Sequence, residues 1–544
     1  MPDSGPVPLP DVQGWLTGAA LAAAVVTPMV SLLLLGWYRR VVTARMTTGA
    51  PAVGSRRWGS GQWRPPPRAA ATPTPEPTAR RPARPATLTE LVRRQRRSLL
   101  AWHALAAVAY GLIGSLALLT ETDTLTVPRL LVVTLLYAWP WVPTAVLVLG
   151  LRARQAVLLT AGYFLALVAA GSMGTASLRG GVLAFAAWAL MAGPATVLMA
   201  AFAAPRLRAA APHVALVVFS VAAGLFVWPW TAYSALTAGS SFGLSVLLGV
   251  TLPLLMIPLA VANLAWSARR YATKRASEQS LAIDQWWLIF TLAQCLMQYN
   301  QVRAWFAMLG AHLAHRLVMA LGRRRLGRAV AGHAGPQLLL LRVFARRRGE
   351  QVLRDLNATW CHAGSVHLIA GWDLATATMG PDEFLDFTLG RLSRHFVTDQ
   401  GHLARRLAEL DLAPDGDGRH RVNDFFCYRD TWQPAVRALV ERADVVLVDL
   451  RGLTPRNEGI TFELQYLVHC RALHRVVALI DDTTDLAHVH WALDSAARGA
   501  SRWLNAVRVE DDITAMELLH RITAASSDGS AVLELTRAST SDPV

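Results

Sequence analysis

The chain of 544 residues is 53% hydrophobic and only 17% charged, with positive mean hydropathy, which excludes an ordinary soluble globular protein and leaves a membrane protein with a soluble part. The formal net charge of +16 would suit a nucleic-acid binder, but the excess is local: residues 38–98 hold 14 Arg, no Lys and only Glu76 and Glu90. That concentration marks a membrane-facing segment and disfavours nucleic acid as the partner. The four cysteines lie far apart and form no CxxC pair, which argues against a zinc ribbon and against a disulfide framework.

Residues 1–14 carry Asp3 and Asp11 and no basic residue, so they lack the start of a signal peptide and form an extracytoplasmic tail. The apolar run 15–38 is long enough to span, and Arg39, Arg40 and Arg45 put its carboxyl end inside. Residues 39–98 form a basic cytoplasmic linker with PPP, TPTPEPT and RPARPA runs, too rich in Pro and Arg to bury a core. Its expected partner is the lipid bilayer, through anionic head groups.

Six further spans are expected within 99–267, at 99–120, 130–150, 156–173, 182–204, 214–236 and 243–267. Basic residues flank their alternate ends, which predicts a seven-helix bundle with the amino terminus outside and the carboxyl terminus in the cytoplasm. No Asp, Glu, Lys or Arg lies inside these spans, which argues against coupled transport. His103, the one histidine within a span, is read as packed or interfacial, and Pro140 and Pro143 as kink sites. Residues 268–335 are expected to be a juxtamembrane helical connector. The apolar run 286–296 is too short to span, and Val302, Phe306, Leu309, Leu313 and Leu317 recur at helical spacing. Its basic tail would lie on lipid or lead into a dimeric stalk, and a homo-oligomer is the expected assembly.

From residue 336 to 526 apolar runs alternate with helical patterns, which predicts a doubly wound α/β domain with a parallel sheet, followed by a flexible tail at 527–544. Five strands are expected, at 338–344, 366–371, 445–451, 475–480 and 504–509, with 398–421 an insertion that turns at DGDG. The run 445–448 is apolar throughout, as in a strand buried on both faces. Ligands of open α/β sheets sit outside the carboxyl ends of the strands, so Asp449, Asn457, Glu458 and Glu463 fall where a ligand would meet them. In a bland reading, Glu463 pairs with Arg451 or Arg456 and Asp449 caps the following loop. His488 and His490 lack a second ligand pair, so no metal site is expected.

The segment NEGITFEL at 457–464 resembles the D-x-G-T-x-x-E-L stretch of nucleoside 2-deoxyribosyltransferases, and the strand, loop and Glu-Leu helix resemble those of TIR domains. Both families have flavodoxin-like sheets and break an N-glycosidic bond. The resemblance implies a cytoplasmic flavodoxin-like (TIR-like) domain with a five-stranded parallel sheet. It also implies Glu463 as the catalytic carboxylate, and Asp449, Asn457 and Gly459 as substrate-binding residues. RVFARRRGE at 342–350 resembles the polar loop after the first TIR strand, which implies Arg346 and Arg347 as phosphate contacts. Asn457 and Ile460 depart from the Asp and Thr of the transferases. Two activities are therefore open, neither with a cofactor: an N-glycosidase taking NAD or a related nucleotide as substrate in stress or defence signalling, or a non-catalytic nucleotide-sensing or protein-interaction domain coupled to the membrane bundle.

Overall fold

A computed structural model describes residues 12–50, 85–151, 153–175, 197–222 apart from 199, 203, 205, 206, 208 and 209, 242–297, 302–330, 335–342, 350–370, 379–470, 472–496, 504–509, 513–528 and 532–533. In chain order the first helices are α1 (Val12–Met46), α2 (Pro85–Glu121), α3 (Val127–Ala138), α4 (Trp141–Leu149), α5 (Ala153–Thr175), α6 (Phe242–Ala272), α7 (Glu278–Met297) and α8 (Val302–Val330). Then follow β1 (Leu338–Arg342), α9 (Glu350–Trp360), β2 (Val366–Ile369), α10 (Pro381–Thr388), β3 (Phe396–Val397), α11 (Gln400–Ala408), β4 (Val422–Cys427) and α12 (Trp432–Arg442). The chain continues with β5 (Val445–Asp449), α13 (Glu458–His469), β6 (Val476–Ile480), α14 (Leu486–Ala496), β7 (Leu504–Arg508), α15 (Ala515–Asp528) and β8 (Val532–Leu533). The chain divides into two compact units: a helical one of Met1–Tyr38, Arg96–Leu326 and Met379–Leu389, and an α/β one of Arg39–Gln95, Gly327–Thr378 and Gly390–Val544.

Among the described residues three helices are long and apolar enough to cross a membrane, Leu21–Met46, Leu88–Glu121 and Arg303–Arg328, or four if α3 and α4 make one broken span. That pair bends by 46° at Pro140, which has no N–H to continue the helix, and Thr144 Oγ1 donates to the Pro140 carbonyl at 2.9 Å. The expected spans 156–173 and 243–267 fall on α5 and α6, whereas 182–204 lies largely, and 223–236 wholly, outside the described residues.

Helix α8 falls within the expected helical connector. Its apolar stripe of Phe306, Leu309, Leu313, Leu317 and Leu321 is exposed, while Ala304, Met308, Ala311, His315, Met319 and Gly322 are buried. Helix α1 is arranged in the same way, with Leu21, Val25, Met29, Leu32 and Leu33 outward and Ala23, Ala24, Thr27 and Ser31 inward. Large side chains outward and small or polar ones inward is the pattern of helices that face lipid, where helix contacts depend on close packing.

The contacts of α8 fix its neighbours. Thr291 Oγ1 lies 3.1 Å from His312 Nδ1, Trp287 stacks on His315 at 4.2 Å, and Asp284 accepts from Arg323, so α7 and α8 run antiparallel. Tyr110 Oη lies 4.0 Å from Met308 Sδ, and a Cβ on Gly322 would meet Trp102 at 2.7 Å, so α2 and α8 are antiparallel too. Helix α7 is buried nearly all round, with Leu281, Ile283, Trp286, Trp287, Ile289 and Phe290 in the core, as suits a central helix. Helix α10 belongs to this unit as well: Tyr38 Oη donates to the buried Glu383 carboxylate, and His213 stacks on Phe384 at 5.9 Å.

Among the described residues the α/β unit has one sheet of eight strands in the order β3-β4-β2-β1-β5-β6-β7-β8, parallel except for β8, against an expectation of five strands. The five expected strands are all present, and among themselves run 2-1-3-4-5. β4 adds outside β2 and extends this to 3-2-1-4-5-6, the other common doubly wound order, with β3 and β8 at the edges. The DGDG segment is a turn as expected, closed by Gly418 N donating to the Asp415 carbonyl at 2.8 Å, with Gly418 at φ 82°. The apolar core on one face joins Leu339, Leu341, Val446, Val448, Val476 and Ala478 of the sheet to α11, α12, α13 and α14.

The close packing of α8 on α2 predicts opposite outcomes at two glycines of one helix. Gly322→Ala should lower thermal stability by about 1–3 kcal/mol, because Trp102 must move. Gly310→Ala, whose Cβ meets nothing within 4 Å, should be neutral or stabilising by up to about 1 kcal/mol. Equal effects in thermal melts of the purified chain would refute this packing.

Candidate functional site

Strand β5 lies between β1 and β6 in register Arg342↔Asp449 and Asp449↔Leu479, and every residue in it is buried. From β1 the chain order runs outward through β2 on one side and from β5 through β6 on the other, so the switch point lies between β1 and β5. Arg342 and Asp449 end these neighbouring strands and are 5% and 8% exposed.

The loop after β5 is closed by its own residues. Leu450 N donates to the Leu479 carbonyl at 2.9 Å, and Gly452 turns the chain at φ 71°, a left-handed conformation that a side chain would strain. Asp449 accepts from Arg451 Nε at 2.7 Å and from Nη2 at 2.9 Å, a bidentate pair two residues apart. Asn457 Oδ1 accepts from Thr454 N at 2.8 Å and Oγ1 at 2.9 Å, which ties the loop to the start of α13.

Helix α13 buries Ile460, Glu463, Leu464, Leu467 and Val468 toward the sheet. Glu463 is 3% exposed, and its Oε2 is buried without a hydrogen-bond partner among the described residues. Burial pushes its carboxyl up to about 8. The expected alternative of an ion pair to Arg451 is not met, because that guanidinium grips Asp449, and no ion pair joins Glu463 to Arg456 among the described residues. Gly459 has open space where a Cβ would stand.

The expected site residues are therefore only partly brought together. The pleat turns Val446 and Val448 to the face that α13 covers and Asp449 to the other, so Glu463 and Asp449 address opposite faces of the same strand end. Arg346 and Arg347 lie outside the described residues. An open groove of about 420 Å³, lined by Pro455, Glu458, Thr461, Phe462, Gln465, His488 and Trp491, runs between α13 and α14. It follows the side of α13 away from Glu463, and its Thr461 and His488 bond each other at 3.0 Å, so it is not the chemical centre.

The sequence reading missed His367. It sits in β2 beside Leu339 on the α12 face, fully buried, with neither ring nitrogen partnered among the described residues. Burial, and then the Arg442 charge, lower it to about 4 and keep it neutral. The only signal in the sequence is a polar residue inside the apolar run VHLIA. No protein-family model matches the chain, and neither a curated protein nor a solved structure matches it.

Glu463 makes stability depend on pH in a defined direction. Its folded value of about 8 lies above the ordinary 4.5, so the folded chain holds a proton that the unfolded chain releases. Its contribution is present below 4.5 and is lost as pH rises through about 8. Relative to Glu463→Gln, the wild-type melting midpoint should therefore fall by about 5 °C or more between about pH 6 and about pH 9. Parallel curves for the two proteins would mean that the fold already compensates the carboxylate.

Proposed function

We propose that the α/β unit is a cytoplasmic, TIR-like domain that cleaves an N-glycosidic bond of NAD or a related nucleotide, with Glu463 as the group on which cleavage depends. The observation that carries this reading is the buried Glu463 carboxyl with an unpartnered oxygen among the described residues. Such a group costs stability, and it belongs where a ligand supplies the missing partner. A nicotinamide riboside linkage brings positive charge, first on the pyridinium ring and then on the ribosyl carbon as the bond to nitrogen breaks. That charge draws the carboxyl into its ionised form, and the carboxylate stabilises or traps the ribosyl cation while the base leaves neutral. Water then takes the ribosyl group. The NEGITFEL segment and the switch point beside β5 support the same reading.

A second reading, a binding module without turnover, is favoured by one observation: the Asp449 carboxylate is engaged by Arg451 and Asn457 Oδ1 by Thr454, so the two groups suited to a ribose hydroxyl are already occupied. In either reading we place the amino terminus outside and the α/β unit in the cytoplasm, from the basic residues at the alternate ends of the expected spans.

Incubating the purified full chain with NAD and with nucleosides, and measuring released base, tests the proposal. The full chain is needed because the α/β unit includes earlier segments: Gln95 Nε2 donates to the Gly418 carbonyl, and Arg429 N to the Thr48 carbonyl at 3.1 Å. Glu463→Gln should lower turnover by about a hundredfold with ligand binding retained. Wild-type kcat/KM should rise with pH toward about 8, as the carboxyl ionises, and level off above it. A fully active Glu463→Gln protein would end the assignment, and a wild type that binds NAD without releasing base would transfer it to the second reading.

A further inference from the structure

Helices α6, α7 and α8 of the helical unit bring three guanidinium groups onto one carboxylate. Asp284, in the second turn of α7, is 3% exposed; it accepts from Arg270 Nη1 at 2.8 Å and from Arg323 Nη2 at 2.8 Å, and lies 3.3 Å from Arg316 Nη1. One carboxylate offsets one charge. Asp284 attracts Arg270, while Arg323 and Arg316 on the same carboxylate repel it. These arginines are only 13%, 27% and 11% exposed at residues 270, 316 and 323, too little for water to screen like charges held together on one carboxylate.

Arg270 and Arg316 both lie over the Trp266 ring, at 4.6 and 5.3 Å from its centroid, and Trp266 is 44% exposed. Arg316 is the most open of the three cations. The level of the cluster is also defined. Arg269 and Arg270 close α6, Lys274 and Arg275 follow it, and Arg323, Arg324 and Arg325 begin the basic end of α8 just after its exposed apolar stripe stops at Leu321. A tryptophan between an apolar stripe and a basic end marks the boundary of hydrocarbon and water, where lipid phosphates lie, and the Arg316 stem is long enough to reach up to it.

We propose that this cluster binds the phosphate of an anionic phospholipid head group. Arg316 and Arg270 are the phosphate ligands, Trp266 packs against the glycerol region, and Asp284 is a positioning residue that holds the guanidinium forks in place. Forked N–H donors match phosphate oxygens, and basic pockets between membrane helices at the cytoplasmic side suit such head groups. A staple between helix ends would need one arginine on Asp284; Arg270 and Arg316, which share it and also lie over the exposed Trp266 ring, are placed to meet an anion.

The test uses the full chain, delipidated in non-ionic detergent and then given phosphatidylglycerol, phosphatidylcholine or inorganic phosphate. Bound lipid is counted by native mass spectrometry, and thermal stability is followed in parallel. The wild type should retain phosphatidylglycerol over phosphatidylcholine and melt higher with it. Arg316→Gln, which leaves both shorter Asp284 bonds in place, should weaken that retention about tenfold. Arg316→Lys should lie between, and Arg324→Gln, an exposed charge outside the cluster, should match the wild type. Stabilisation by phosphatidylglycerol and not by inorganic phosphate identifies the lipid, whereas equal stabilisation by inorganic phosphate overturns the lipid as its source. Unchanged retention in Arg316→Gln and in Arg270→Gln, each melting as a folded protein, overturns the site itself.

Discussion

Close approach of α2, α7 and α8 is the constraint on which the helical unit depends. Lipid tails are as apolar as leucine, so no hydrophobic force draws such helices together, and small residues and polar contacts must do so. Gly322 lets the α8 backbone reach Trp102, and His315 lies flat on Trp287. Asp284 ties the ends of three helices. The large side chains of α8 are left to face outward.

That constraint explains what the sequence concealed there. A stripe of Phe306, Leu309, Leu313 and Leu317 at helical spacing looks the same whether it faces a protein core or lipid. The direction has to come from the other face. Ala304, Ala311 and Gly322 make that face small, and their spacing is visible in the sequence once a packed partner is assumed. In the sheet, by contrast, five strands were legible because central parallel strands are apolar on both faces. β4 was not legible, since Asn423 and Asp424 interrupt its apolar pattern. The fold satisfies Asn423 locally, since its amide exchanges two 3.1 Å hydrogen bonds with the Asp411 backbone, and Arg406 donates to the main-chain carbonyl of Asp424 at 2.8 Å. β3 and β8 are too short to leave any period.

The candidate site divides in the same way. The strand end, the loop and the Glu-Leu helix follow from local pattern, and they stand where the sequence put them. Partnership does not follow from local pattern. Arg451 lies within reach of either carboxylate in sequence terms, and the backbone turn at Gly452 gives it to Asp449. Glu463 is left among Ile460, Leu464 and Leu467, a setting decided by which face of α13 meets the sheet. His367 is a further case, since its lack of partners among the described residues depends on what α12 lays over β2.

Two buried carboxylates thus carry opposite imbalances. Asp284 has more cations than it can neutralise, and Glu463 has none among the described residues. Burying a charge is costly unless it is paired, and overfilling a pair with like charges is costly as well. A proton resolves the first kind of imbalance, which is why burial moves the Glu463 carboxyl to about 8. No proton resolves the second, because a guanidinium does not release its own near neutral pH. Glu463 can therefore stand complete in the empty fold and change state when a cationic centre arrives, as a catalytic or sensing group must. The Asp284 cluster has no such protonated resting form, so it is held by geometry alone: three guanidinium groups from two neighbouring helices meet one buried carboxylate.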